Sequence, residues 1–84
     1  MNERDLQLLL EANAVKGVAI IGQGCRFHVE VKTQGPSKVV MTGRGDLRQW
    51  SSLDACAKWL RKNGIGQAHI HIDQWQPEQK ALRL

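Results

Sequence analysis

Three histidines, a cluster of lysines and arginines, and two cysteines are the side chains in this 84-residue sequence with chemistry to offer. His69 and His71 stand two apart in Ala68-His69-Ile70-His71-Ile72, and His28 lies in the alternating run Cys25–Thr33. On a strand, residues two apart share a face with backbones ~7 Å apart, a spacing compatible with zinc or nickel. No carboxylate stands in evident register with His28, His69 and His71. Exposed histidines on a wet sheet face are the commoner outcome of such a pattern, and no metal is assigned on it.

The formal charge of +4 is local. Between Lys38 and Lys62 lie six basic residues (Lys38, Arg44, Arg48, Lys58, Arg61 and Lys62) and two acidic ones, Asp46 and Asp54. The rest of the chain balances, six against six. A localised basic patch is what DNA, RNA or an acidic protein surface would engage, with Arg44, Arg48, Lys58, Arg61 and Lys62 as its members. A lysine-rich solvated face explains the same residues equally well, because an excess of four is small for a nucleic-acid binder.

Nucleophilic catalysis finds little support. Cys25 and Cys56 both fall on apolar positions, where buried thiols behave as small inert hydrophobes. With no Cys-x-x-Cys spacing, neither a disulfide nor a zinc finger is signalled. Ser51 and Ser52 are explained by helix capping. Neither Gly22-Gln23-Gly24 nor Gly43-Arg44-Gly45 opens a phosphate-cradling helix. The chain has no tyrosine, its acids are scattered, and it shows no cofactor loop. The sequence therefore points away from an enzyme, a cofactor and a small-molecule substrate. Arg44-Gly45-Asp46 reads as a glycine-containing turn. Trp50 and Trp59 flank a helix and cover the margins of a small core. Trp75, beside a proline in the tail, has no evident core position; Trp75 and Trp59 are the interaction candidates.

These residues must be positioned by one domain spanning residues 1–84, since a chain this short has no room for a second core. Such a domain buries only ~60% of its unfolded surface, so a protein partner or a homodimer would add stability. The apolar share of 42% with 24% charge is ordinary for a folded domain. No apolar run approaches the ~20 residues of a membrane span, and Met1–Asp5 lacks the layout of a signal peptide. The expectation is a cytoplasmic protein that does not engage a membrane.

Periodicity supplies the elements. Leu6, Leu9, Leu10 and Ala14 trace an amphipathic helix over residues 3–14 with Asn2 as N-cap. Val15–Ile21 predicts a strand entering a hairpin at Gly22-Gln23-Gly24. In Cys25–Thr33, Cys25, Phe27, Val29 and Val31 point inward and Arg26, His28, Glu30 and Lys32 outward. Lys38–Thr42 predicts a third strand. Ser51 and Asp54 suggest a capping box, with Trp50 as the staple residue. The second helix would bury Leu53, Cys56, Ala57 and Leu60 and close at Gly64. Ala68, Ile70 and Ile72 point inward in a fourth strand. The tail from about residue 74 either makes a short helical turn after Pro77 or frays.

The order is α-β-β-β-α-β, an α+β fold with one four-stranded mixed sheet and two helices on one face. The handedness of crossover connections places the fourth strand beside the first, parallel to it and to the third.

Two resemblances attach to these residues. The α-β-β-β-α portion resembles the double-stranded-RNA-binding domain in element order. Asp54, however, stands where that family places cations, and the fourth strand departs from it. The run "RQWSSLDACAKWLRKNGIGQAHIHIDQWQP", after a hairpin containing "FHVEVKT", resembles the small ParC-type partition-associated proteins of plasmids and integrative elements. The matching positions are Arg48, Trp50, Ser52, Leu53, Asp54, Leu60, Gly64, Ile65, Trp75 and Pro77. The resemblance implies a non-enzymatic accessory role in mobile-element maintenance, with another partition protein or DNA as partner.

Overall fold

The structure, a computed structural model, describes residues 1–76. The expectations for a turn after Pro77 and for the last residues of the tail lie outside the described residues. Within them the chain forms α1 (Glu3–Glu11), β1 (Gly17–Gly24), β2 (Arg26–Lys32), β3 (Lys38–Val39), α2 (Leu53–Lys62) and β4 (His69–Trp75). The sheet order is β3-β2-β1-β4, with β1–β2 and β2–β3 antiparallel and β1–β4 parallel. The predicted architecture holds: a four-stranded mixed sheet carrying both helices on one face.

Helix ends follow local chemistry. Asn2 and Asp5 form a reciprocal capping box at the start of α1. The helix stops at Glu11, earlier than the leucine spacing suggests, because Asn13 takes a left-handed φ of 57°. The Asn13 amide then donates to Leu10 O and the Ala14 amide to Leu9 O, the paired bonds of a Schellman end. At α2 the cap is Ser52, whose hydroxyl accepts from the Ala55 amide at 3.1 Å. The expected Ser51–Asp54 box and Trp50 staple are therefore not formed. At the other end Gly64, at φ 86°, closes the helix as predicted, and Ile65 folds back onto Leu60.

The β1–β2 hairpin pairs Gln23 with Arg26, leaving Gly24 and Cys25 as its two-residue loop. Gly24 has a positive φ of 63°, the conformation a tight hairpin needs at that position. Cys25 is thus exposed in a turn rather than buried at the start of a strand. Beyond it the alternation is as expected, with Phe27, Val29 and Val31 almost fully buried.

Val18, Ile20, Phe27, Val29 and Val31 meet Leu6 of α1 and Cys56, Trp59 and Leu60 of α2 in one core. In α2 the buried stripe is Cys56, Trp59 and Leu60; Ala57 is exposed and Leu53 half-buried. Burial pushes the Cys56 thiol up to about 11. The helices are tied side by side by a hydrogen bond from the Gln7 side-chain Nε2 to the Asn63 side-chain oxygen. Ile70 and Ile72 depart most from expectation. They lie on the helix-facing side of β4 yet are about half exposed, at 49% and 52%, because neither helix reaches over the outermost strand.

Candidate functional site

The two margins of the sheet are treated differently by the fold. Beside β3 the Met1 ammonium donates to Val39 O at 2.9 Å, and the Met41 amide donates to Met1 O. Leu47 bridges Met41, and Trp50 exchanges two backbone hydrogen bonds with Phe27. These contacts occupy the margin and leave β3 two residues long instead of the expected five. A short, covered edge is a standard protection against pairing with other chains.

The β4 margin has no such cover among the described residues. β4 runs seven residues, nearly all exposed, with its inner side on β1 and no described residue paired on its outer side. A groove of about 190 Å³ separates it from α2, lined by Ile20, Ala57, Leu60, Ala68 and Ile70 among others. The strand is poor in charge: Asp73 is its one formally charged residue. A long apolar-and-imidazole edge with unpaired backbone N–H and C=O groups is suited chemically to strand addition.

The histidines share one face, as predicted, but are not gathered. Ile21 pairs with His28 on one side and His71 on the other, so β1 stands between them. Two strand spacings place the backbones of His28 and His71 ~10 Å apart. Among the described residues no group of three or more His, Cys, Asp or Glu side chains is placed to hold a metal ion. His28 is the partly sheltered one: its Nδ1 is buried without a partner, and desolvation lowers its pKa below 6.5 against an upward pull from Glu30.

The five basic candidates do not form one patch. Arg48 is held internally, its guanidinium 5.2 Å from the ring centroids of both Trp50 and Trp59 and 3.6 Å from Glu3. Lys58 pairs with Asp54 one turn away at 3.3 Å on the exposed side of α2. Arg61 and Lys62 occupy the last turn of α2, where cations complement the helix dipole. Arg44 is in the loop after β3, organised by Thr42, whose hydroxyl accepts from the Arg44 and Asp46 amides. The strand directions put this loop where β1 and β3 end, and Arg61 and Lys62 where β1 and β4 begin. A ten-residue helix of ~15 Å separates them.

Of the two interaction candidates, both pack inward. Trp59 is buried and its ring lies 5.1 Å from that of Trp50. Trp75 is half-buried, with its ring 5.2 Å from Phe27, so the expectation that it lacks a core position is not met. The cause is a bulge. Ile21 pairs with His71 but Gln23 with Gln74, so Ile72 and Asp73 together face Gly22. One extra residue reverses the alternation and turns Trp75 onto the core side.

The interaction feature that sequence reasoning missed is the exposure of Ile70 and Ile72. Their inward parity was readable; that no helix covers them was not.

No family model matches the chain, and neither a curated protein nor a solved structure matches it. Among the described residues no helix is long and apolar enough to cross a membrane. The hollow of about 330 Å³ between the two helix ends is lined by Leu10, Asn13, Val15, Lys16 and Gly64–Gln67, without an acid–base pair.

Proposed function

We propose that this protein is a small non-enzymatic accessory protein that acts through protein–protein contacts at the open β4 edge. The observation that carries this reading is the contrast between edges. The β3 side is closed by Met1, Leu47 and Trp50, whereas β4 presents seven residues with Ile70 and Ile72 half-exposed. The resemblance to partition-associated proteins supports a setting in plasmid or integrative-element maintenance. The matching residues do architectural work here: Ser52 caps α2, Gly64 and Ile65 close it, and Arg48 stacks on Trp50. They speak for a shared framework rather than a shared reaction.

Direct nucleic-acid binding fits less well, because Arg48 is held internally and Arg44 lies away from Arg61 and Lys62. Affinity capture with the full chain, with and without nuclease, separates the two readings. Protein partners should survive nuclease and be lost with Ile72→Lys, which places a charge on the edge. Release by nuclease, or loss on replacing Arg61 and Lys62 by alanine while Ile72→Lys still binds, would favour nucleic acid.

A further inference from the structure

We infer that the occupant of the β4 edge is β4 of a second copy, paired antiparallel about Ile70, and that the seam creates a metal site from His69 and His71 of both copies. This inference rests on the reading of β4 as the interface.

Three observations select a second copy. First, the strand has almost no charge to oppose itself: Asp73 is its one formally charged residue, so self-pairing about Ile70 sets Asp73 against Gln67 of the other copy. Edges that resist pairing typically carry lysines or inward charges, and β4 has neither. Second, the helix-facing side is complementary to itself in size. With Ile70 on the two-fold axis, Ile70 meets Ile70 of the second copy, and the bulkier Ile72 meets the small Ala68. Directly opposed residues in an antiparallel pair share a face with Cβ atoms ~5 Å apart, so this register covers both half-exposed isoleucines of each copy. Third, the β3 margin is occupied by the chain's own residues, which leaves β4 to mediate a closed two-fold assembly instead of an open filament.

The register then dictates the other face. His69 and His71 lie opposite Ala19 and Ile21 of β1, on the side away from the helices. About the same axis, His69 of each copy stands opposite His71 of the other. Four imidazoles result, ~5 Å apart across the seam and ~7 Å apart along each strand. A single copy supplies only the His69–His71 pair, and no larger group exists among its described residues. Facing imidazoles from two strands suit a divalent ion of the zinc type, which binds neutral imidazole nitrogen at ~2.0–2.1 Å. Such an ion would bind the paired state and not the separated one, so it tightens the pairing by mass action.

Sedimentation of the full chain over a concentration series, in chelator and in zinc chloride, tests this. The wild type should form a dimer whose dissociation constant falls ~10-fold or more with zinc. His71→Ala should still dimerise but lose the zinc response. Ile70→Lys should be a folded monomer by circular dichroism. For the register, Ile70→Cys in a Cys25→Ser background should cross-link to its own copy under mild oxidation, whereas Ile72→Cys should not. A wild type that stays monomeric at its highest soluble concentration, with and without zinc, overturns the inference. If a protein partner is nevertheless captured and lost with Ile72→Lys, the interface reading survives without the second copy; if neither occurs, both fall. A dimer that persists in Ile70→Lys, or a zinc response unchanged in His71→Ala, overturns the seam or its metal site respectively.

Discussion

Trp75, paired with Gly24, leans back over Gly22: its Cβ and Cγ stand 2.8 and 3.1 Å from the point where a Cβ on residue 22 would sit, and Phe27 Cε1 stands 3.2 Å away. Gly22 is buried and its strand runs beside the bulge that turns the indole inward. The close approach requires glycine at that position.

Gly22→Ala should therefore cost ~1–3 kcal/mol, the usual range for overpacking. Trp75→Ala should cost ~2–3 kcal/mol, below the ~3–5 of a fully buried tryptophan because this one is half-buried. The double variant should cost less than the two single losses added together, since losing the indole removes the 3.1 Å Cγ contact and frees room for the backbone to ease the 2.8 Å contact with the Cβ that alanine keeps. Urea unfolding of the three proteins measures this. Additive losses would show that the retained Cβ contact, and not the indole, sets the cost at residue 22.

The same pair shows what the sequence could reveal. Alternation in Arg26–Lys32, the Gly64 helix end and the handedness of the crossover were sufficient for the sheet, because each is a local or topological constraint. A bulge is neither. Counting by twos from Ile70 puts Trp75 on the outer face, and only the extra residue opposite Gly22 corrects it. Cys25 failed for a similar reason: strand parity makes it inward, but the hairpin takes Gly24 and Cys25 as its loop. Ile70 and Ile72 have the expected parity but are uncovered, because the lateral reach of α2 is set by tertiary packing on β1 and β2. The basic candidates separate into Arg44 in a loop, Arg48 engaged by Glu3 and the tryptophan rings, and Lys58, Arg61 and Lys62 on α2, because charge in sequence says nothing about such partners.

Arg48 provides the second prediction. Its guanidinium stacks on two indoles, and a cation on an aromatic face contributes ~0.5–2 kcal/mol depending on desolvation. Arg48→Ala should lose ~1–2 kcal/mol. Arg48→Lys should recover little of it, because a flexible ammonium lacks the planar surface that lies against Trp50 and Trp59. Glu3→Gln, which removes only a partly exposed ion pair, should cost ~0–1 kcal/mol. Full rescue by lysine would show that charge alone, without stacking, holds the site.

The two thiols should separate cleanly. Cys25 is exposed in the hairpin loop, whereas Cys56 is fully buried with its pKa pushed up to about 11. In the native protein at neutral pH a thiol-reactive disulfide reagent should label Cys25 promptly. Cys56 should react only at the rate of unfolding, since the thiolate is the reactive form. Because the fold raises the pKa of Cys56, its contribution to stability is complete below the unfolded pKa and is lost as pH rises toward 11. Equal labelling of both cysteines would place Cys56 outside the core.

His28 gives a dependence on acid. Its ring is sheltered on β2, with Nδ1 buried and unpartnered, and desolvation lowers its pKa below 6.5. The groups around it are Arg26 and Glu30 on its own strand, Ile21 opposite on β1, and His71 beyond Ile21. Of these, Glu30 pulls the pKa upward but does not outweigh burial. Below 6.5 the unfolded chain binds a proton at His28 that the folded chain refuses, so the unfolded state is favoured. The stabilising contribution is fully present above 6.5 and is lost as pH falls through the folded pKa. Stability should thus decline on acidification below 6.5, and His28→Gln should flatten that decline. Glu30→Gln should lower the His28 titration further by removing the upward pull, which proton NMR of the imidazole resonances would detect. A His28 resonance that titrates above 6.5, or a stability profile unchanged in His28→Gln, would mean that the ring is solvated in the folded protein.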